Sequence, residues 1–326
     1  MKKLLFNLFI LFFLFNCSNQ NSKIDVILDT DANNELDDQH AIAYLLFNGD
    51  YFNVEGITIN RTYNGGDVFE HTKEALRIVK LCSLENKIPV IVGADQDFID
   101  IKDKMNDNDY DGKKAVDFII ENSKLKRSSK LVLLPVGKLT NIALALYKDP
   151  SIIPNIKIVW LGSNYPEQGE YNQVNDPEAL KYILKLDVEF EIAIVRYGKP
   201  TGTDAVIAST EEIANKMPGL GPKISNPIIG RYGGEFYTFG DYSVNLFENY
   251  EGGIHKTRPL FDMAAVAIVK NSNWAEKNVI SAPELNDGLW TDNPKNSRKI
   301  IIWENFDKSE IMNDFYESME NYNLAK

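Results

Sequence analysis

Short apolar runs alternate with amphipathic stretches along most of the chain. The runs Ile24–Asp29, Val54–Asn60, Pro89–Val92, Leu131–Val136, Ile156–Leu161 and Val188–Val195 are rich in β-branched residues. Short continuous runs of this kind predict buried strands. Between them, Asp37–Phe47, Val68–Leu81, Gly112–Asn122, Leu139–Lys148 and Asp176–Leu186 carry a helical period. In the first of these, Ala41, Ile42, Leu45 and Leu46 share one face. The alternation predicts an α/β fold, a single domain with a mostly parallel central sheet flanked by helices in an open, Rossmann-like arrangement. Such sheets hold ligands beyond the carboxyl ends of their strands. Functional residues are therefore expected just after each strand.

The pattern changes over residues 196–258, which are rich in Gly and aromatic residues and poor in clear periodicity. Tyr232, Phe236, Tyr237, Phe239, Tyr242, Phe247 and Tyr250 crowd one stretch. Part of that run is core, and a ring or two could stack on a planar ligand. A last core helix is predicted over Phe261–Val269, then an edge strand Lys299–Trp303 and a final helix Asp307–Asn321. No internal repeat or linker divides the chain.

The first residues read as an address rather than as fold. Lys2 and Lys3 precede the apolar run Leu4 to Phe15, and Cys17 and a polar stretch follow. The layout resembles a lipoprotein signal over 1–16, with Cys17 as the lipidated residue, a tether over 17–23 and the folded domain over 24–326. It predicts an anchored protein of a bacterial cell envelope, touching membrane through the lipid alone.

Charge removes several functional classes. With 35 Lys+Arg against 47 Asp+Glu the net charge is −12, and no basic run exists to grip nucleic acid. Cys17 and Cys82 cannot build a disulfide framework, and His40, His71 and His255 are scattered. Carboxylates are the plentiful ligands, which favours hard cations.

The densest chemistry follows the first strand. Asp29, Asp31, Glu35, Asp37 and Asp38 fall within ten residues at a strand end and a helix start. One Asp there would be an ordinary N-cap. Five gathered anions repel one another, and a divalent cation such as Ca²⁺ supplies the counter-charge.

Four motifs in order carry a resemblance: Asp29-Thr-Asp31 with Asp37-Asp38; Leu134-Pro-Val136-Gly137-Lys-Leu-Thr140-Asn141; Gly162-Ser-Asn164 with Glu170-Tyr-Asn172; and Phe261-Asp262-Met-Ala-Ala. Together they resemble the inosine-uridine preferring nucleoside hydrolases, α/β enzymes that use Ca²⁺ to cleave the N-glycosidic bond of ribonucleosides in nucleoside salvage. The resemblance implies that Asp31 is the general base and a metal ligand. It makes Asp38, Asp262 and the Val136 backbone carbonyl the other ligands. Asp37, Asn64, Asn164, Glu170 and Asn172 would bind the ribose. It implies a small-molecule nucleoside partner and leaves a homodimer or homotetramer open.

Two departures stand out. Five residues, Ala32–Leu36, separate Asp31 from the Asp pair where the family has three, and Phe261 stands where many members carry a leaving-group histidine. Phe261 would face the base, with His255 or a tyrosine of 232–250 as substitute acid. Three alternatives remain at this stage. One is an aspartyl phosphatase, which also opens on Asp-x-Asp. Another is a hydrolase of a different ribosyl-like or glycosidic substrate. The third is a non-catalytic Ca²⁺-dependent sugar- or nucleoside-binding protein.

Overall fold

The structure is a computed structural model and describes residues 23–250 and 256–326. The signal reading over 1–16, Cys17, all of the tether but Lys23, and His255 lie outside the described residues.

Eight strands form the central sheet: β1 Ile24–Thr30, β2 Phe52–Ile59, β3 Val90–Val92, β4 Leu131–Pro135, β5 Ile156–Gly162, β6 Glu189–Ile194, β7 Glu276–Ser281 and β8 Lys299–Glu304. Their order is β7-β8-β6-β5-β4-β1-β2-β3. All neighbours are parallel except β7 and β8. The chain leaves β1 towards β2 and β3, then returns to β4 on the other side of β1. That reversal opens a crevice at the carboxyl ends of β1 and β4, where sheets of this type bind ligands.

Strand alternation supplies two cores. Val26 and Leu28 of β1, Val132 and Leu134 of β4 and Val159 and Leu161 of β5 face one cluster. Their neighbours Ile27, Leu131, Leu133, Ile158 and Trp160 face the other. Helices Asp37–Phe47 and Val68–Leu81 cover the first face, and Lys113–Ser123, Thr140–Lys148 and Pro177–Leu184 the second.

The helix Asp37–Phe47 departs from the amphipathic reading, for all its residues are buried. Helices Phe239–Glu248, Phe261–Lys270 and Lys308–Glu320 add apolar residues to the same cluster, and the last two pack directly on Asp37–Phe47. A helix covered on several sides cannot leave a polar stripe to solvent. This burial carries the two carboxylates of its first turn inside the protein.

Two expectations need correction. Lys299–Trp303 is not an edge strand. It lies between β6, which it meets in parallel at Ile301 and Glu191, and β7, which it meets antiparallel at Ile300 and Ile280. The true edge, Glu-Lys-Asn-Val-Ile-Ser, is mostly polar because it faces solvent, so it does not read as an apolar run. In the aperiodic region, Thr210–Lys216 and Phe239–Glu248 are helices. Thr238 caps the second by accepting from Asp241 N–H. The Thr-x-x-Asp spacing was the sequence signal for that helix.

Candidate active site

An acidic cavity of about 260 Å³ opens at the carboxyl ends of β1, β4 and β5. Asp31, Glu35, Asp37, Asp38, Glu170 and Asp262 contribute its carboxylates, and Arg258 is the only cation among the lining residues described.

The acidic side is built by two helix starts and one strand end. Asp37 and Asp38 sit in the first turn behind Leu36, which makes no side-chain cap, and Asp262 sits likewise behind Leu260. These aspartates are therefore not capping groups. They are held where two helix N-termini converge, and the positive ends of the helix dipoles favour them. Asp37, Asp38 and Asp262 each offer an oxygen within 4.8 Å of the others. Burial drives all three carboxyls well above the usual carboxylate range, and repulsion from neighbouring aspartates, Asp31 among them, adds to it. Three buried oxygens at this spacing suit a hard divalent cation, which would remove that repulsion.

Asp31 lines the same cavity but stands outside that close trio. Its carboxylate accepts from Thr62 Oγ1, and its carbonyl oxygen lies 2.8 Å from His71 Nδ1. Burial raises its pKa, while His71 and Thr62 pull the other way. Thr30 Oγ1 donates to Asp38. Behind them, Asp29 accepts from Thr58 Oγ1 at 2.6 Å and from Asn60 and Asn141 at 2.7 Å, which locks the strand end. Gly137 is required by this packing, since a Cβ there would stand 2.7 Å from Asp31 Oδ1 and from Asn60 Nδ2.

The middle motifs meet through Asn172. Its amide donates to the Val136 carbonyl at 2.7 Å and the Leu161 carbonyl at 3.2 Å, tying β4 to β5 at the cavity. Val136 therefore has one lone pair in use and one left. Glu170 is buried rather than an exposed loop charge, and it caps the short helix Tyr171–Asn175. Its carboxylate accepts from the N–H groups of Ser163, Asn172 and Gln173. Burial still wins and pushes the carboxyl up to about 7.

Two residues assigned to the sugar lie elsewhere. Asn164 is buried but absent from the lining, with its amide donating to Gln168 O and accepting from Tyr197 N–H. It thereby sets the backbone that carries Tyr197. Asn64 is exposed, and its backbone N–H donates to Tyr171 Oη. Asp176 is the helix cap that its Asp-Pro sequence suggests.

Asn34 and Glu35 reach the lining from the lengthened Ala32–Leu36 loop, while Leu161, Tyr171, Val195, Tyr197 and Arg258 were not singled out from the sequence as site residues. Tyr197 meets Phe261 edge-on with ring centres 5.8 Å apart. Arg258 lies 5.0 Å from the Phe261 ring centre and 5.4 Å from that of Tyr250. It pairs with Glu35 and, at 3.2 Å, with Asp37. Burial lowers its pKa to about 10, so it stays charged near neutrality. Of the aromatic run, Phe239, Tyr242 and Phe247 are core, and Tyr250 reaches the site's edge beside Arg258. The lengthened loop is pinned by Arg231, which donates to the Glu35 carbonyl at 2.7 Å.

A family model described as inosine-uridine preferring nucleoside hydrolase matches residues 26–313. The non-specific ribonucleoside hydrolase RihC of Salmonella paratyphi A is 26% identical over 269 residues, covering 76% of this chain and 79% of its own. The RihC protein of Salmonella typhi is also 26% identical, covering 76% and 78%. Among solved structures, a plant nucleoside hydrolase superposes with a TM-score of 0.71 at 18% identity, covering 91% of this chain and 99% of its own. A purine-preferring ribonucleoside hydrolase from Gardnerella vaginalis gives 0.67 at 22% identity, covering 90% and 98%. These matches overturn the cell-envelope placement. The relatives and solved structures above are named as nucleoside hydrolases rather than as lipoproteins or envelope proteins. Among the described residues no helix is long and apolar enough to cross a membrane. In sequence, topology and the convergence of its motifs on one cavity, the chain belongs to the inosine-uridine preferring nucleoside hydrolase family.

Proposed function

We propose that the protein hydrolyses the N-glycosidic bond of ribonucleosides with Ca²⁺ as cofactor. The observation that carries this reading is the buried trio Asp37, Asp38 and Asp262, sharing one cavity with Asp31. Asp38, Asp262, Asp31 and the free lone pair of the Val136 carbonyl would hold the cation, with Asp37 beside them. Their oxygen-only character suits Ca²⁺. A cation bound there would acidify a water molecule and polarise sugar hydroxyls.

The chain's own groups supply the rest. Asp31 takes the proton of the attacking water as its oxygen bonds to C1′. Positive charge develops on the sugar as the glycosidic bond breaks and is quenched as the water adds, and the surrounding carboxylates stabilise it. Asp37, Glu170 and Asn172 line the space where the ribose would sit, and Tyr171, Tyr197 and Phe261 offer aromatic surface to the base. The phosphatase alternative requires the first aspartate as nucleophile. Asp29 is fully buried, spends its oxygens on Thr58, Asn60 and Asn141, and does not line the cavity.

A panel of purine and pyrimidine ribonucleosides, assayed for free ribose with and without Ca²⁺, tests the proposal. Ribose release that stops in EDTA and returns with Ca²⁺ is expected. Full activity in EDTA would remove the metal. Binding of nucleosides without ribose release would leave a binding protein.

A further inference from the structure

Heterolysis of a glycosidic bond poses a charge problem for this cavity. The electron pair of the C1′–N bond stays on the base, so the leaving group becomes anionic. The cavity offers it six carboxylates. Those suit the cationic sugar and repel the departing base. Arg258 is the only lining cation among the described residues.

Its setting is that of a group kept for a ligand. The guanidinium lies over the rings of Phe261 and Tyr250, 5.0 and 5.4 Å from their centres, and the side chain is only 12% exposed. Nη2 is held by Glu35 and Asp37, and Nη1 lies 3.3 Å from Tyr250 Oη. Nε is buried and has no hydrogen-bond partner among the described residues. A buried donor left unpaired is costly, and in a side chain that lines the cavity it marks a guanidinium whose hydrogen bonds are completed only by turning toward an arriving acceptor. Glu35 comes from the lengthened loop Ala32–Leu36, which Arg231 pins in place. The two departures of this chain therefore meet at one contact, with Phe261 under the guanidinium and Glu35 against its edge.

We infer that Arg258 is a catalytic residue that stabilises the negative charge developing on the departing base, and that Glu35 positions it. The inference rests on the nucleoside hydrolase reading above. The water oxygen forms the new C1′–O bond, its proton passes to Asp31, and the C1′–N pair goes to the base. Arg258 keeps its proton and donates hydrogen bonds to the base anion, which takes a proton from solvent on release. No histidine is needed for this route.

The test compares leaving groups. Wild type, Arg258→Gln and Arg258→Lys are assayed on inosine, uridine and p-nitrophenyl β-ribofuranoside, whose nitrophenolate needs little help to leave. Removing one donor aimed at developing charge costs about 10²–10³ in kcat. Arg258→Gln should lose that factor on the nucleosides, and its loss on the nitrophenyl riboside should be far smaller. Arg258→Lys keeps the charge without the planar fork and should fall between. Glu35→Gln should show the same leaving-group bias with a smaller loss. Calcium content, measured on each folded variant, should match wild type. Equal losses on all three substrates, or loss of calcium, would make Arg258 a structural counter-charge and overturn the inference alone. A wild-type protein that hydrolyses none of the three would overturn the proposed function itself, and the inference with it.

Discussion

Asp31, Asp37 and Asp38 reach the cavity from eight consecutive residues between one strand and one helix, whereas Tyr197, Arg258 and Phe261 are gathered from segments about sixty residues apart. The first group is rigidly set. A strand end locked through Asp29 and a helix start buried on all sides leave its carboxylates little freedom. The second group hangs on side-chain contacts: Asn164 to the Tyr197 backbone, Glu35 to Arg258, ring edge to ring face. Chemistry shared by every substrate belongs on the rigid wall, because bond cleavage tolerates little misplacement. Discrimination between bases belongs on the assembled wall, where substitutions change shape without moving the carboxylates.

The sharpest way to break this division is at Asp31. Asp31→Asn keeps an oxygen at the same place and cannot accept a proton. It should lose about 10²–10⁴ in kcat on every nucleoside alike, with calcium still bound. Turnover near wild type would move the base elsewhere, and Glu35 in the same loop would be the next residue to change.

Asp38→Ala attacks the same wall through the metal. Deleting a ligand should weaken calcium by more than the roughly 10–100-fold that loss of an outer partner costs. Elemental analysis and turnover should fall together, again without regard to the base. A variant that keeps its calcium would show that Asp37 and Asp262 suffice, and would separate Asp38 from the site.

The legibility of the two walls differed in the same way. The acidic wall was readable because its residues are close in sequence and chemically improbable together. The sheet was readable for a related reason, since buried parallel strands are continuous apolar runs. Arg258, Tyr197 and Tyr171 carried no local signal. A single arginine or tyrosine in a loop is ordinary, and only the fold brings them to the carboxylates. Glu170 and Asn172, named through the resemblance, line the cavity, while their neighbour Asn164 holds the backbone of Tyr197 from outside the lining. The outer strand β7 was missed because one of its faces is in water.

The assembled wall should respond differently. Tyr197→Ala removes a ring from the Phe261 pair, and base–aromatic stacking is worth about 1–3 kcal/mol per base. The expected result is a raised KM with kcat largely kept, and a different shift for inosine than for uridine. Free ribose should bind as before. Equal shifts for both nucleosides would show that Tyr197 contacts the sugar instead, and the division between the walls would fail there.

The smallest expected effect on turnover concerns Glu170, which joins the two walls. Its carboxylate caps the helix that carries Tyr171 and Asn172, yet burial holds its pKa at about 7 against an ordinary 4.5. Below pH 4.5 the group is protonated in folded and unfolded chains alike, and its contribution to stability is complete. Between 4.5 and 7 the unfolded chain releases the proton while the folded one keeps it. Stability is therefore lost as pH rises through that window, at up to about 1.4 kcal/mol per pH unit. Above 7 the folded carboxyl also ionises and the slope ends. Glu170→Gln cannot ionise, so this part of the slope should vanish. Urea midpoints measured from pH 4.5 to 7.5 on both proteins give the comparison. The other buried carboxylates titrate in both, and the difference between the curves isolates Glu170. Parallel curves would mean that the three backbone N–H groups outweigh burial and keep Glu170 ionised throughout. The cap would then stand as a fixed anion beside the sugar, and its negative charge would have to be counted with that of the acidic wall.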